Sequence, residues 1–526
     1  MEKWTSAKSE MIGCAGWHTL ASLARQDDDL DDAFFEKYLE KIETRIHGSE
    51  NWVRYAMNNA LINIGVRNPK LEKIAIAAAV RIGTVDVDHG ETGCKTPEAV
   101  AHIKKTVAYN KKKAAKKRRL AVTALIVLLP AALGAQAVLE RVEEAVPVAG
   151  VVFLDCNANG VRDAGEAGIE GVVVSDQVQV VTTDRDGRYS LSAHGYGLVF
   201  VSQPDGYASV GPFWRRADPA GTDFGLTTRQ TSSTFTFVHA SDTHLSEASV
   251  DRLRRVREMV DSLQPAFVLI TGDLIRDALR VSEEEARGYY ELLERELERF
   301  TVPVFTVPGN HEKFGIERHL SLVAPTHPLY GNRMYRHYRG PNYYSFTWGG
   351  VHFLGLDTVD YDDLRYHGHV DSLQVEWIGA DVAALPPEMP VVIFNHIPFI
   401  GGGEVRAGLA EGGAAPSIIR IDGRAYFRHS VYNHQAVLGP LQGRLELALQ
   451  GHIHMREVLK YRTQIGEQRL ITAAAVVGPA PGRANAYGPL SGITLHRVVG
   501  GRVDDGTFLP LDPRPGGDVS TVGLFR

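Results

Sequence analysis

Apolar positions change their spacing three times along the chain. Phe34, Phe35, Tyr38, Leu39, Ile42 and Ile46 recur at the interval of one helix face, and Asp31 or Asp32 is placed to cap its start. Trp52, Tyr55, Met57, Leu61 and Ile64 predict a second helix ending near Gly65, and Leu71 to Ile82 a third, so residues 1–103 read as solenoid-like helix pairs. From Val148 the runs shorten to Val148–Leu154, Gly171–Ser175, Val178–Thr183 and Tyr189–Leu191, separated by Gly and Asp turns, which predicts a small β-sandwich over 147–230. After a Thr- and Ser-rich linker at Thr227–Thr234, strands alternate with helices. The strands are Phe235–Ala240, Ala266–Thr271, Val302–Val307, Val351–Leu356, Val391–Phe394 and Leu445–Gln450; the helices run through Leu253, Val256, Val260 and Leu263 and over Glu283–Phe300. That alternation predicts an α/β domain over 234–511. The Gly- and Pro-rich tail, 512–526, is expected to be flexible.

Composition adds exclusions. At 526 residues the chain is a multidomain protein, and its 44% apolar and 23% charged content rules out wholesale disorder and a polytopic membrane protein. A net charge of -6 argues against nucleic-acid binding by bulk charge, so none is expected of the α/β domain. Cys14, Cys94 and Cys156 are too few and too far apart for a disulfide framework.

Residues 104–137 carry a different signal. Nine Lys and Arg without an acid precede the apolar run from Leu120 to Gly134, and Ala135-Gln136-Ala137 follows with small residues suited to cleavage. Two readings stand. The segment is an uncleaved anchor helix crossing a membrane through residues 120–139, or the functional start lies near Asn110 and residues 1–109 are a fused reading frame. Both put everything after Ala137 outside the cytoplasm (periplasm, cell surface or medium), leaving the N-terminal fragment, if translated, in it.

At Trp52–Gly65 and Gly90–Pro97 the helical piece resembles the C-terminal part of bacterial DNA alkylation repair proteins built from HEAT-like repeats. The residues that excise bases in that family lie mostly in earlier repeats, so none is carried over.

The β-rich module contains Asp155-Cys156-Asn157-Ala158-Asn159-Gly160-Val161-Arg162-Asp163-Ala164-Gly165-Glu166. Oxygen donors at Asp155, Asn157, Asn159, Asp163 and Glu166, with the backbone of Val161 and a glycine at the bend, follow calcium-loop spacing, so a structural Ca2+ is expected. The module resembles the B-type repeats of bacterial surface adhesins and the N-terminal module of some exported phosphoesterases.

In the α/β domain a polar set follows nearly every strand: Asp242-x-His244, Gly272-Asp273, Gly309-Asn310-His311-Glu312, Asn395-His396 and Gly451-His452-x-His454. Active sites of open α/β sheets lie at such strand ends. Hard and borderline O and N donors without a thiolate suit Mn, Fe, Zn or Co, and seven ligands exceed what one ion uses; two ions sharing a carboxylate would use them all. The series resembles the calcineurin-like metallophosphoesterases, which implies a four-layer α/β/β/α sandwich. The resemblance assigns Asp242, His244, Asp273 and His454 to one divalent or trivalent ion, and Asp273, Asn310, His396 and His452 to the other. It makes Asp273 the bridge and gives His311, oriented by Glu312 or Asp242, the roles of contacting phosphate and protonating the leaving group.

Arg333 and Arg336, in the cationic and aromatic stretch Arg333–Arg339, are candidate substrate contacts beside Asn310 and His311. Asp277 could support the site or cap a helix, His327, His337, His367 and His369 are expected at the surface or in packing, and Gly401–Ala415 in a mobile loop. Arg276 occupies the position where purple acid phosphatases place a metal-binding Tyr. The expected function is hydrolysis of a phosphate mono- or diester by an exported or membrane-anchored, binuclear metalloenzyme. The alternatives are a surface adhesion protein that keeps the fold as a scaffold, and a repair nuclease.

Overall fold

The computed structural model describes residues 2–7, 9–26, 30–88, 96–107, 143–402, 418–421, 424–464, 466–478 and 490–512. The chain forms two compact units, Met1–Gly134 and Ala135–Arg526. The apolar signal or anchor helix expected at 120–139 is not found, because that segment lies outside the described residues, as do Cys94, most of the Gly401–Ala415 loop and the tail beyond Asp512. Among the described residues no helix is long and apolar enough to cross a membrane.

The first unit is helical: Glu10–Gln26, Asp32–Arg45, Asn51–Gly65 and Pro69–Ile82, with a further helix over 99–107. Asp31 is the cap, accepting the Phe34 N–H at 2.8 Å. Phe35, Tyr38, Leu39, Ile42 and Ile46 meet Trp17, Leu20, Met57 and Leu61 in one core. Two expected core residues differ: Phe34 is only partly buried, and Trp52, in the first helical turn, is 46% exposed. Gly65 is needed where it stands, since a Cβ there would lie 2.7 Å from Ile103 Cδ1.

The second unit opens with the expected β-sandwich. Its two four-stranded sheets run Arg188–Gly195, Glu143–Leu154, Phe224–Thr228, Tyr207–Ser209 and Val180–Thr182, Val173–Ser175, Leu198–Val201, Trp214–Arg216. Val152, Val174, Tyr189, Val199, Phe224 and Leu226 fill the space between them. The expected linker is partly strand, because Thr227 and Thr228 complete Phe224–Thr228. The module is fastened to the α/β domain by buried polar contacts. Tyr343 OH donates to the Gln177 carbonyl at 2.6 Å, and Trp377 Nε1 donates to Ser175 Oγ at 3.0 Å.

The α/β domain is built on two six-stranded sheets. The first is ordered Val304–Val307, Val268–Thr271, Thr234–Ala240, Gly492–Val499, Arg502–Val503, with Thr507–Pro510 also paired to Gly492–Val499. The second is ordered Tyr344–Trp348, Val351–Leu356, Val391–Asn395, Leu445–Gln450, Gly466–Thr472, Glu457–Thr463. Period-two alternation sorts the side chains. Phe237, Phe267, Leu269 and Phe305 face the second sheet's Phe346, Phe353 and Phe394, whereas Val238, Ala240, Val268 and Ile270 face Leu253, Val256 and Val260 of helix Val250–Leu263 and Tyr290 and Leu293 of Glu283–Leu297. Trp377, Ile378 and Val382 of Ser372–Ala383 pack on the second sheet, completing four layers. Strands 234–240, 268–271 and 304–307 run parallel, as do 351–356, 391–395, 445–450 and 466–472, so their C-terminal ends open onto common loops.

Candidate metal centre

All seven expected ligands meet at those strand ends. Ligand atoms of Asp242, His244, Asp273 and His454 lie within 4.8 Å of one another, as do those of Asp273, His396 and His452. Asp273 belongs to both groups, and Asn310 Oδ1 stands 3.3 Å from His396 Nε2 beside the second. In the first group His244 Nε2 is 3.1 Å from His454 Nε2 and 3.6 Å from Asp273 Oδ2, and His454 Nε2 is 3.2 Å from Asp242 Oδ1. In the second, His396 Nε2 is 3.2 Å from both Asp273 Oδ1 and His452 Nδ1.

Local backbone makes this convergence possible. Asp242, His244, Asp273, His452 and His454 all have positive φ, between 40° and 74°, a region non-glycine residues rarely occupy. Each strand turns sharply as it ends, aiming successive side chains into one volume. Gly309 lets the Asn310 loop approach, since a Cβ there would lie 2.2 Å from Asp273 Oδ1; at Gly451 it would lie 2.0 Å from Ser241 Oγ.

The donors are oriented for cations. His396 Nδ1 donates to the Thr271 carbonyl at 2.7 Å, leaving Nε2 to face the cluster. Asp242 Oδ2 accepts the His452 N–H at 3.0 Å, while its buried Oδ1 has no hydrogen-bond partner and points among the ligands. An orphaned carboxylate oxygen among converging imidazoles fits divalent or trivalent ions. Burial opposes ionisation of Asp273, yet His396, His311 and His244 hold its carboxyl well below the usual range. Asp242 is lowered in the same way, chiefly by His454 against burial. Against burial, Asp273 raises His396 to about 9, whereas burial and His311 push His244 down to about 3.

His311 borders the centre, its ring 4.5 Å from that of His244 and its Nε2 3.9 Å from Asp273 Oδ2. The expected partners do not orient it. Its Nδ1 instead donates to the Arg276 carbonyl at 2.6 Å and lies 3.7 Å from Asp277. Glu312 accepts the backbone N–H groups of Leu274, Ile275 and Gly309 at 2.8, 3.1 and 2.6 Å, tying the two ligand loops together, and burial raises it to about 8. Asp242 Oδ2 serves His452.

The arginines of helix Asn332–Arg339 have partners of their own. Arg336 donates to Asn342 Oδ1 at 2.9 Å and stacks 3.6 Å over Tyr196 of the β-sandwich, and Arg333 donates to the His327 carbonyl at 3.5 Å. His327 pairs with Glu283 at 3.1 Å, and His369 with Asp360 at 2.7 Å. In the calcium-like loop Asp155 accepts the Gly160 N–H at 2.7 Å and Glu166 those of Cys156 and Asp163 at 2.8 and 2.9 Å, while Asn157 and Asn159 donate to Asp163 Oδ2, each at 2.8 Å. Among the described residues, no three acidic, His or Cys side chains of this loop bring ligand atoms within 4.8 Å of one another.

Three neighbours of the centre escaped sequence reasoning. His429 Nδ1 lies 2.8 Å from His452 Nε2, the nitrogen turned away from the cluster. Tyr366 sets its ring edge-on to His452 at 6.1 Å, and the Arg428 guanidinium lies 4.3 Å over Tyr366. Tyr366 belongs to a short hairpin, Val359–Asp362 with Arg365–Gly368, and the other two to a loop, so no periodic pattern marks them.

Residues 235–455 match the calcineurin-like phosphoesterase family, 156–228 match its N-terminal module, and 1–103 match the DNA alkylation repair enzyme family. The match aligns the α/β domain with a family of metal-dependent hydrolases of phosphoester bonds. An uncharacterized protein of Listeria innocua is 30% identical over 104 residues, 20% of this chain and 44% of that protein. One of Listeria monocytogenes is 29% identical over 102 residues, 19% of this chain and 43% of that protein, so the chain spans less than half the length of these relatives. Among solved structures, one from a family related to HEAT-like repeat DNA glycosylases with affinity for branched DNA structures is 24% identical, covering 21% of this chain and 47% of that one (TM-score 0.20). The anchor in the inner membrane complex of Plasmodium is 13% identical, covering 54% of this chain and 86% of that one (TM-score 0.33).

Proposed function

We propose that the calcineurin-like phosphoesterase domain of this chain carries a binuclear centre and hydrolyses a phosphate mono- or diester outside the cytoplasm. The observation that carries this reading is the sharing of Asp273 between two ligand groups. Asp242, His244, Asp273 and His454 would hold one ion, and Asp273, Asn310, His396 and His452 the other, with Mn, Fe or Zn suited to the donors. Two such ions supply an acidified water as nucleophile and positive charge for the phosphoryl oxygens. The protein's own groups do the rest. His396 is fixed by Thr271, Glu312 ties the loops of Asp273 and Asn310, and His311, locked through Nδ1, presents Nε2 to protonate the leaving oxygen.

The test is metal analysis and a panel of chromogenic mono- and diesters with the full chain and with Asp273→Ala. Two ions per chain and turnover in the wild type, both lost in the variant, are expected; undiminished turnover in the variant would overturn the reading. The basic, apolar and small-residue order of 104–137 supports export, tested by sequencing the N-terminus of the exported protein: a mature end near Val138 marks cleavage, an intact segment the anchor. For the Asp155–Glu166 loop we propose a structural Ca2+, supported by the buried Asp155 closing the bend at Gly160. A calcium-dependent rise in melting temperature should vanish in Asp155→Ala.

A further inference from the structure

Arg428 is a cation held near the metal ligands, stacked on an aromatic ring. Its guanidinium lies 4.3 Å over the Tyr366 ring, and Tyr366, only 6% exposed, sets its ring 6.1 Å from that of His452. Among the described residues no carboxylate pairs with it, and its buried Nε has no hydrogen-bond partner. Arg280, Arg318 and Arg339, elsewhere in the same domain, each pair with a carboxylate.

The position is built. Gly368, at the end of the Tyr366 strand, bridges Val431, and a Cβ there would lie 2.2 Å from the Ser430 carbonyl. The Val431 N–H is bonded at 2.8 Å to the Pro398 carbonyl, two residues beyond His396. The loop carrying Arg428 is therefore clamped between the hairpin and the loop of a metal ligand. His429, the next residue, reaches His452 at 2.8 Å, which fixes the register of Arg428 against the centre.

A guanidinium stacked on and hydrogen-bonded to Tyr366, with no carboxylate partner among the described residues, is suited to recognition of phosphate or carboxylate through its remaining N–H groups. It stands one aromatic ring away from His452, so a phosphoryl group gathered among the ligands leaves it free for something further along the substrate. We propose that Arg428 binds a second anionic group, so that the preferred substrates are phosphoesters bearing an additional phosphate or carboxylate. This inference rests on the phosphoesterase reading and names its substrate class.

The test is binding, independent of turnover. Propane-1,3-bisphosphonate and propylphosphonate are titrated calorimetrically into the metal-loaded full chain, with metal content measured before and after. The wild type should bind the bisphosphonate at least about tenfold more tightly, the scale expected of one charge-assisted contact. Arg428→Ala should bring the ratio close to one, Arg428→Lys should keep part of the preference, and Phe427→Ala, altering an exposed neighbour, should keep all of it. A wild type without preference, or a preference that survives Arg428→Ala, would overturn the proposal. Failure of the hydrolase reading looks different: no phosphoester is turned over, whatever the two phosphonates do.

Discussion

Replacing His311 by Gln separates proton transfer from binding. Because a carbonyl can only accept, the 2.6 Å contact with Arg276 fixes the proton on Nδ1 and leaves Nε2 as the nitrogen turned to the centre, 3.9 Å from Asp273 Oδ2. A Gln amide can still donate a hydrogen bond from that region, but it has no proton to give. General-acid catalysis contributes roughly 10²- to 10⁴-fold, about 3 to 5 kcal/mol of barrier, and its share depends on how poorly the leaving group bears negative charge. For an alkyl phosphate, His311→Gln should therefore lower kcat by about 10²-fold or more; for p-nitrophenyl phosphate, whose leaving group is stable as an anion, by about tenfold or less. His311→Ala should add a rise in KM for both. The assay is steady-state kinetics on the two esters, with metal content as control, since His311 lies outside both ligand groups. Equal losses on the two esters would show that His311 positions substrate and transfers no proton.

Lys313 and Asp357 form a buried ion pair at 2.6 Å, with side chains 0% and 5% exposed. Asp357→Asn should cost about 3 to 5 kcal/mol by stranding the ammonium, and Lys313→Met with Asp357→Leu much less, read from shifts in urea midpoint. With His396 raised to about 9 and His454 also raised by Asp242 against burial, metal binding near pH 7 must displace protons. Affinity should thus climb with pH toward about 9, and calorimetry in buffers of different ionisation enthalpy should register net proton release. Burial lowers His367 to about 4, so between about 6.5 and 4 the unfolded chain binds a proton that the folded chain does not, and stability falls as pH falls through that window by up to about 3 kcal/mol. His367→Gln should flatten the decline in melting temperature over that range; an unchanged slope would remove His367 from the acid response.

The metal ligands were legible because each follows a buried strand, and parallel strands bring their C-terminal ends together whatever the intervening loops do. The helix face through Phe35 and Ile42 and the long buried strands were legible from periodicity alone. Short strands such as Leu198–Val201 and Trp214–Arg216 were not, because three or four residues hold too few alternations to stand out. Arg336 shows another limit. Beside Tyr and His it reads as a substrate contact, yet stacking on Tyr196, 140 positions away, is a tertiary fact that no local pattern carries. The supporting bond of His311 was missed for a related reason: it goes to a backbone carbonyl, whose position leaves no mark on residue identity.

The centre's geometry also explains why ligands come in pairs two residues apart. Side chains two residues apart already share one face of an extended strand, so Asp242 and His244, and likewise His452 and His454, are directed to a common side as the chain leaves each strand. Positive φ at all four positions then curls the chain beyond each strand, at a cost in backbone strain of about 1 to 3 kcal/mol per residue. That strain is held by bonds between the loops. Asp242 N–H donates to the Gly272 carbonyl at 3.0 Å, His244 N–H to the Asp273 carbonyl at 2.9 Å, and the Gly451 N–H to the His396 carbonyl at 2.9 Å. Each ligand loop is thus braced by the backbone of another, and Glu312 adds a carboxylate to the same lattice. The ligand positions are consequently set by main-chain bonds, which do not depend on the ions, so a cradle shaped this way should recover its metals after chelation without refolding.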